Sequence, residues 1–195
     1  MTQENNVDII GMHIELFLPS EKVKGNAIVI PRLPHGSNIV VVQSGKEDLG
    51  DCDALITKKH DISLGIRTAD CAPMCFCDGE IMGIAHIGWR GLCLGLIEKM
   101  LTQFDISNLS VYVAPFLHTF EIQKDFCYEQ ITQKFGEQFV KSQSSKIIFC
   151  FKDVIASLLP PQTRYDTRDT GTDLSFPSYR RDKTKDRFVT TVNYS

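Results

Sequence analysis

Short apolar runs rich in β-branched residues dominate the first half of the chain, and Gly, Pro or charged residues separate them. Such runs, bounded by turn-forming residues, are typical of β-strands. The predicted strands cover residues 26–30, 38–43, 53–57, 62–67, 74–77 and 81–85. Asp78-Gly79 is predicted to form the hairpin turn between the last two.

The apolar period changes to that of a helix after Gly91, where leucines and other apolar residues cover one broad face up to about Phe104. Further strands are predicted at residues 111–114, 147–150 and 187–192, and further helices at 124–139 and 152–159. The segment from Arg164 to the last strand is predicted as a loop. Strands first and helices interspersed later predict an α+β class with a mixed sheet.

The composition is that of an ordinary globular protein, because 43% of the 195 residues are hydrophobic and 23% are charged. This length is sufficient for one substantial core. Neither an internal repeat nor a Pro/Gly/Ser-rich linker divides the chain. We therefore expect a single domain over residues 1–195.

Charge and cysteine usage limit the possible partners and the compartment. The net charge of −3 and the lack of a Lys/Arg run argue against a nucleic-acid partner. Residues 1–8 lack the basic start and apolar core of a signal peptide, and no apolar run approaches the roughly 20 residues of a membrane helix. Seven unevenly spaced cysteines fit a reducing compartment better than a disulfide framework. We expect a soluble, cytoplasmic monomer without a membrane partner.

Polar side chains interrupt the buried-strand pattern between residues 68 and 95. Asp70 and Cys71 end one apolar run, and His86 ends another just before Arg90. The packing of a core strand gives no reason for these residue types, so we predict that they converge on a site. Arg90 stands near the start of the predicted helix, where free backbone N–H groups and the helix dipole favour an anion.

His35, Cys71 and His86 are three ligands of the kind that zinc or copper prefers, each at a predicted strand end or tight turn. Three protein ligands with an open fourth position are typical of catalytic zinc. Their separations, 36 and 15 residues, are longer than the compact spacings of zinc fingers. From the residues alone, a core thiol and two ordinary loop histidines remain an alternative.

Ordered motifs extend over most of the chain. They are His35-Gly36, residues 51–57 (DCDALIT), 68–73 (TADCAP), 86–91 (HIGWRG), 113–115 (VAP), 120–122 (FEI) and 178–182 (SYRRD), and Arg187. Together they resemble the motifs of the laccase-domain family of bacterial proteins, also called the YfiH-like or multicopper polyphenol oxidase family. The resemblance implies a fold of layered mixed β-sheets covered by helices.

The resemblance also implies a metal site and an activity. His35, Cys71 and His86 would be the metal ligands, with zinc expected and copper possible. Members of the family are described as purine nucleoside phosphorylases, which split adenosine, inosine or methylthioadenosine with phosphate, and as adenosine deaminases. The expected partners are therefore purine nucleosides and phosphate.

Four polar residues are candidates for the chemistry beside the metal. Asp70 is predicted to act as a general acid/base or to orient a ligating histidine. Arg90, Arg180 and Arg181 are predicted to bind phosphate, with Arg90 also in the catalytic set. The alternatives are that Asp70 caps a turn and that the arginine pair lies on a solvated surface hairpin.

Two other functions remain open at this point. A copper-dependent polyphenol oxidase would fit the older family name, but five histidines are few for a multicopper enzyme. A member that edits cell-wall precursors, or one without catalysis, would fit the departures from the family pattern. These are Leu33 in place of a Gln, Phe116 in place of a Cys, and the short segment before Ser178.

Overall fold

The computed structural model describes residues 5–24 and 27–195, so Asn26 of the first predicted strand lies outside the described residues. The strands are β1 (Asn6–Ile9), β2 (Met12–Phe17), β3 (Ile28–Val29), β4 (Ile39–Val41), β5 (Ala54–Thr57), β6 (Ser63–Thr68), β7 (Ala72–Cys77), β8 (Met82–Ile87), β9 (Ser110–Val113), β10 (Phe120–Ile122), β11 (Val140–Gln143), β12 (Lys146–Phe149), β13 (Arg164–Tyr165) and β14 (Phe188–Tyr194). The helices are α1 (Trp89–Cys93), α2 (Leu96–Leu101), α3 (Phe126–Phe135), α4 (Phe151–Leu158) and α5 (Tyr179–Asp182), with a 3₁₀ turn at Glu137–Phe139.

The described strands form three sheets, which confirms the predicted α+β class. A six-stranded sheet has the order β13-β9-β7-β8-β5-β4, and a five-stranded sheet has the order β1-β2-β14-β6-β3. Both are mixed. The six-stranded sheet has parallel β4 and β5 and antiparallel β7 and β8, and the five-stranded sheet has parallel β3 and β6 and antiparallel β6 and β14. A small sheet, β10-β12-β11, lies apart from them.

Two apolar clusters give the fold its layers. Because side chains alternate across a strand, Met74 and Phe76 of β7 join the cluster that includes Ile97 and Met100 of α2. Cys75 of β7 joins a second cluster, which contains residues of the five-stranded sheet. The six-stranded sheet therefore lies between helices on one face and the five-stranded sheet on the other.

Two glycines end helices earlier in the chain than the sequence pattern predicts. The helix predicted from Gly91 to about Phe104 is two helices, α1 and α2, because Gly95 adopts a left-handed conformation (φ +79°) between them. The helix predicted over 124–139 ends at Phe135, since Gly136 follows with φ +90°. No helix within the described ranges is long and apolar enough to cross a membrane.

Other elements were absent from the prediction. β2, in which fully and partly buried residues alternate over its first four positions, lies outside the predicted strands, and β1 pairs with it. The predicted loop after Arg164 contains β13, which has two residues, and α5, which has four. A two-residue strand and a four-residue helix each span about one period of their side-chain pattern, so hydrophobic periodicity gives no signal for them.

Candidate metal centre

Strand pairing brings the three predicted ligands to one end of the six-stranded sheet. Cys71 directly precedes β7, and His86 lies near the end of β8. The antiparallel register pairs Pro73 with His86, which places Cys71 beside it. His35 lies in the loop before β4. Because β4 runs parallel to β5, this loop lies at the same end of the sheet.

The ligand atoms of His35, Cys71 and His86 all lie within 4.8 Å of one another. The two imidazole rings meet edge to face, with their centroids 4.8 Å apart. Two imidazole nitrogens and one thiolate sulfur form a donor set that suits zinc or copper. The residues that the structure brings together therefore fit a metal ion.

A buried carboxylate that the sequence analysis did not single out supports two of these ligands. Asp53 Oδ1 lies 2.7 Å from Nδ1 of His86. The backbone N–H groups of His35 and Gly36 donate to the same carboxylate, at 3.0 and 2.6 Å. His35 has a positive φ of +67°, an unusual conformation for a residue with a Cβ, and its N–H bond to Asp53 holds the turn in place.

Asp53 therefore has the orienting role that was predicted as one option for Asp70. A carboxylate bonded to one imidazole nitrogen fixes the ring so that the other nitrogen faces a metal. Burial raises the pKa of Asp53, but the hydrogen bonds from His86, Gly36 and His35 lower it by more. The net shift of the pKa is downward, so the group is ionised. Its place next to β5 made it look like an ordinary strand residue.

The thiol of Cys71 is activated by its neighbours. Burial alone would raise its pKa, but the positive charge of His86 and hydrogen bonds from His35 and His86 lower it to about 6. The same pairing, against burial, raises the pKa of His86 to about 9. A thiolate is the form of cysteine that binds metals.

A cleft of about 310 Å³ opens beside the metal centre. We call it the aromatic cleft, after Trp89, Phe120, Phe151 and Tyr179 in its wall. The wall also contains His35, Cys71, Asp70, Arg180 and Arg187. Two of the candidate metal ligands and the aromatic surface therefore line the same cleft.

Asp70 lines the aromatic cleft but makes no hydrogen bond to the histidines. Its Oδ1 accepts from the hydroxyl of Thr170 at 3.1 Å, and its Oδ2 accepts from the backbone N–H of Arg180 at 2.8 Å. The carboxylate therefore ties α5 to the cleft. The prediction that Asp70 orients a ligating histidine is wrong, while its general acid/base role stays a prediction.

The three predicted phosphate ligands lie in different surroundings. Arg90 is exposed beside the Trp89 ring and is not among the residues that line the aromatic cleft. Arg180 lines that cleft, with its guanidinium 4.0 Å from the centroid of the Phe120 ring.

The guanidinium of Arg181 is committed to holding the C-terminal segment together. It donates to the carbonyls of Thr170 at 2.7 Å, Phe176 at 2.8 Å and Asp173 at 3.2 Å. It also pairs with Asp182 at 2.6 Å. Arg181 is absent from the wall of the aromatic cleft, and its predicted phosphate-binding role stays a prediction.

A second cleft, of about 380 Å³, is lined by all three candidate ligands and shares His35, Ala69, Cys71 and Arg187 with the aromatic cleft. We call it the arginine cleft, after Arg32, Arg67 and Arg187 in its wall. Leu33 lies there too, whereas Phe116 is fully buried in the core. The departure at Leu33 therefore changes the surface of a cleft, and that at Phe116 changes packing.

Comparison with known proteins gives the family. A family model described as multi-copper polyphenol oxidoreductase laccase matches residues 9–194. The chain belongs to this family. This confirms the resemblance inferred from the motifs.

Individual relatives carry enzyme names. A purine nucleoside phosphorylase of Aquifex aeolicus is 30% identical over 85% of this chain and 82% of its own length. Adenosine deaminase RL5, from an unknown prokaryotic organism, is 30% identical over 39% of this chain and 35% of its own length. The crystal structure of protein NMB0706 of Neisseria meningitidis has a TM-score of 0.85 at 18% identity, covering 98% of this chain and all of that one. That structural match extends the shared fold to nearly the whole chain.

Proposed function

We propose that this protein is a zinc-dependent purine nucleoside phosphorylase that splits adenosine, inosine or methylthioadenosine with phosphate. The observation that carries the proposal is the cluster of His35, Cys71 and His86, of which His35 and Cys71 line the aromatic cleft. The similarity to the Aquifex aeolicus enzyme supports the same reaction class.

His35, Cys71 and His86 would hold the zinc ion. Bound zinc would supply a Lewis acid beside the reacting atoms. The protein contributes a thiolate, two oriented imidazoles and the buried Asp53 carboxylate that maintains their geometry. The aromatic cleft beside them would bind the organic substrate.

The aromatic cleft suits a purine ring. Stacking of a base on an aromatic side chain stabilises binding by about 1–3 kcal/mol and tolerates different bases. Tyr179 is 51% exposed, so its ring is available to a ligand. Trp89 and Phe120 present further aromatic surface in the same wall.

Asp70, which lines the aromatic cleft, would act on the sugar. In phosphorolysis a phosphate oxygen bonds to C1′ of the ribose while the bond from C1′ to purine N9 breaks; the electron pair leaves with the purine, which takes up a proton. Cleavage of such bonds passes through an oxocarbenium-like state. Asp70 accepts one hydrogen bond on each oxygen, and an ionised carboxylate has about four acceptor positions. It can therefore stabilise positive charge on the ribose.

The test combines elemental analysis with product analysis on protein purified without added metal. We expect about one zinc per chain, and adenine and ribose 1-phosphate formed in equal amounts from adenosine only when phosphate is present. Cys71→Ser should lose both zinc and turnover, whereas Cys127→Ser, which alters a cysteine of α3, should retain them. Zinc-loaded protein that cleaves no purine nucleoside would overturn the proposal and favour a cell-wall-precursor editing or non-catalytic member.

Adenosine deamination is the second candidate, favoured by the similarity to adenosine deaminase RL5. In this reaction water adds to C6 of the purine and ammonia leaves, so that inosine forms without phosphate. The same clefts and metal ligands would serve it. Inosine and ammonia as the main products of the assay above would assign the protein to this branch.

A polyphenol oxidase has less support. Within the described residues, His35, Cys71 and His86 form the one group of three or more potential metal ligands, whereas a multicopper oxidase requires several ions. Copper in this single centre would still fit the donor set. Phenol oxidation that exceeds nucleoside cleavage in copper-loaded protein would favour that alternative.

A further inference from the structure

Two clefts meet at the candidate metal ligands, and their linings differ in chemistry. His35, Cys71 and Arg187 line both the aromatic cleft and the arginine cleft. The aromatic cleft offers ring surfaces for an organic ligand. The arginine cleft, which the proposed function has not used, offers cations.

Sheet topology explains why arginines from three distant segments meet there. Arg32 follows β3, Arg67 is near the end of β6, and Arg187 directly precedes β14. Because β3 runs parallel to β6 and β14 runs antiparallel to it, the ends of β3 and β6 and the start of β14 lie at the same end of the five-stranded sheet. Cys71 follows β6 by three residues, so this end of the sheet adjoins the candidate metal ligands.

The charge of the arginine cleft is unbalanced. No Asp or Glu is among its lining residues, although the whole chain has a net charge of −3. Within the described residues, the guanidinium groups of Arg32 and Arg67 have no hydrogen-bond or ion-pair partner, and both residues are exposed. Arg187 donates only to backbone carbonyls, those of Thr184 and Asp186.

A buried hydroxyl adds an independent observation. Thr68 lines the arginine cleft and is 1% exposed, and its Oγ1 has no hydrogen-bond partner. A buried polar atom without a partner is unusual in a folded protein and calls for an explanation, such as an ion that the site binds. Thr68, Ala69 and Cys71 belong to one segment of the cleft wall, so this unpaired hydroxyl lies in the segment that joins the cleft to the candidate metal ligands.

We propose that the arginine cleft binds a phosphate-class oxyanion directly beside the metal centre, with Arg32 and Arg67 as its main ligands. Guanidinium groups bind such oxyanions through paired, charge-assisted hydrogen bonds. The inference rests on the proposed function in one respect: the anion would be the phosphate of the phosphorylase reaction, bound in a cleft that adjoins the one proposed for the purine. Its source is either free inorganic phosphate or a phosphoryl group carried by a nucleotide.

The test is a phosphorus NMR titration of the zinc-loaded protein with inorganic phosphate. We expect Arg67→Gln and Arg32→Gln each to weaken phosphate binding at least about ten-fold, the loss of one charge-assisted contact, and Arg67→Lys to restore part of it. Arg164→Gln is the matched control, since it removes an exposed arginine that lines neither cleft. Both residues are on the surface, so their loss should not impair folding.

Adenosine 5′-monophosphate and adenosine, titrated in parallel, distinguish the two sources. Phosphate binding that depends on Arg32 and Arg67 supports free phosphate as the ligand. Arginine-dependent binding of the nucleotide, with no measurable binding of inorganic phosphate, supports a phosphoryl group on the substrate. Unchanged affinities for both ligands in both glutamine variants would overturn the anion site.

Failure of the anion site and failure of the proposed function give different results. If arginine-dependent phosphate binding is found and no purine nucleoside is cleaved, the anion site stands and the phosphorylase proposal fails. If adenosine is cleaved with phosphate, and the KM for phosphate is the same in wild type, Arg32→Gln and Arg67→Gln, the phosphorylase proposal stands and the anion site is wrong.

Discussion

The carboxylate of Asp53 lies fully buried between the ring of His86 and the turn formed by His35 and Gly36. It accepts one hydrogen bond from the ring and two from the turn. Since the turn contains a residue with positive φ, its conformation depends on partners such as this carboxylate. Two candidate metal ligands are therefore positioned by one residue that does not ligate.

We predict that Asp53→Asn lowers zinc affinity by about 10- to 100-fold, the usual effect of removing a group that orients a ligating histidine. The amide retains the size of the side chain but not its charge, so it cannot accept from all three donors equally well. Competition with a chromophoric chelator measures the change. Asp51→Asn, two residues away on the surface, is the control, and an equal loss in both variants would contradict the role of Asp53.

The neighbouring residues Arg180 and Arg181 have separate tasks. Arg181 bonds to three backbone carbonyls, so Arg181→Ala should reduce the free energy of unfolding by about 1–3 kcal/mol. Arg180 lies in the aromatic cleft, so Arg180→Ala should raise the KM for nucleoside with a smaller effect on stability. Urea unfolding and steady-state kinetics of both variants check this. The reverse assignment of the two losses would show that the arginines have exchanged roles.

Helix α1 lies tightly against the candidate metal ligands, and two glycines make this possible. A Cβ at Gly91 would lie 2.8 Å from the carbonyl oxygen of Gly36. A Cβ at Gly88 would lie 3.1 Å from Sγ of Cys71. The start of the helix can therefore approach both the His35 turn and the thiolate only without side chains at these positions.

We predict that Gly91→Ala weakens zinc binding, although alanine favours helix formation by about 1 kcal/mol over glycine. The added methyl group would push against backbone at Gly36, which cannot move without displacing His35. Zinc affinity, together with the thermal midpoint of the zinc-free protein, separates the two effects. Gly50→Ala, in an exposed loop, is the control. Wild-type zinc affinity in Gly91→Ala would show that the turn adapts.

At the scale of the whole molecule, the ligands connect segments that belong to different sheets. Cys71 lies in the crossover from β6 of the five-stranded sheet to β7 of the six-stranded sheet. His86 lies in β8 of the six-stranded sheet, and the turn that contains His35 precedes β4, an outer strand of the same sheet. A metal that binds only when these segments are assembled stabilises the folded state.

We therefore predict that zinc raises the thermal unfolding midpoint. At a free zinc concentration 100 times the dissociation constant, the stabilisation should be about 2.7 kcal/mol. Calorimetry with and without a chelator measures it. Cys71→Ser should retain the core, which does not include Cys71, and should show little response to zinc. A response equal to that of wild type would exclude Cys71 as a ligand.

The sequence alone predicted features that depend on local order. The apolar runs of β5 to β8 and the period after Gly91 predicted strands and a helix, because side-chain periodicity follows directly from backbone geometry. The donor types of His35, Cys71 and His86 indicated a metal. Short elements such as α5, and the break at Gly95, were missed because local patterns there are weak or ambiguous.

Only the tertiary structure decided which side chains meet. Asp53 is 33 residues from His86 in sequence, and their contact exists because β5 pairs with β8. Arg32, Arg67 and Arg187 converge because of the order and direction of strands in the five-stranded sheet. The sequence by itself therefore determined the strands, the α+β class and the chemical types of the ligands. Strand pairing over long sequence separations determined the orienting carboxylate and the two clefts, because register and strand order depend on the packing of the whole core.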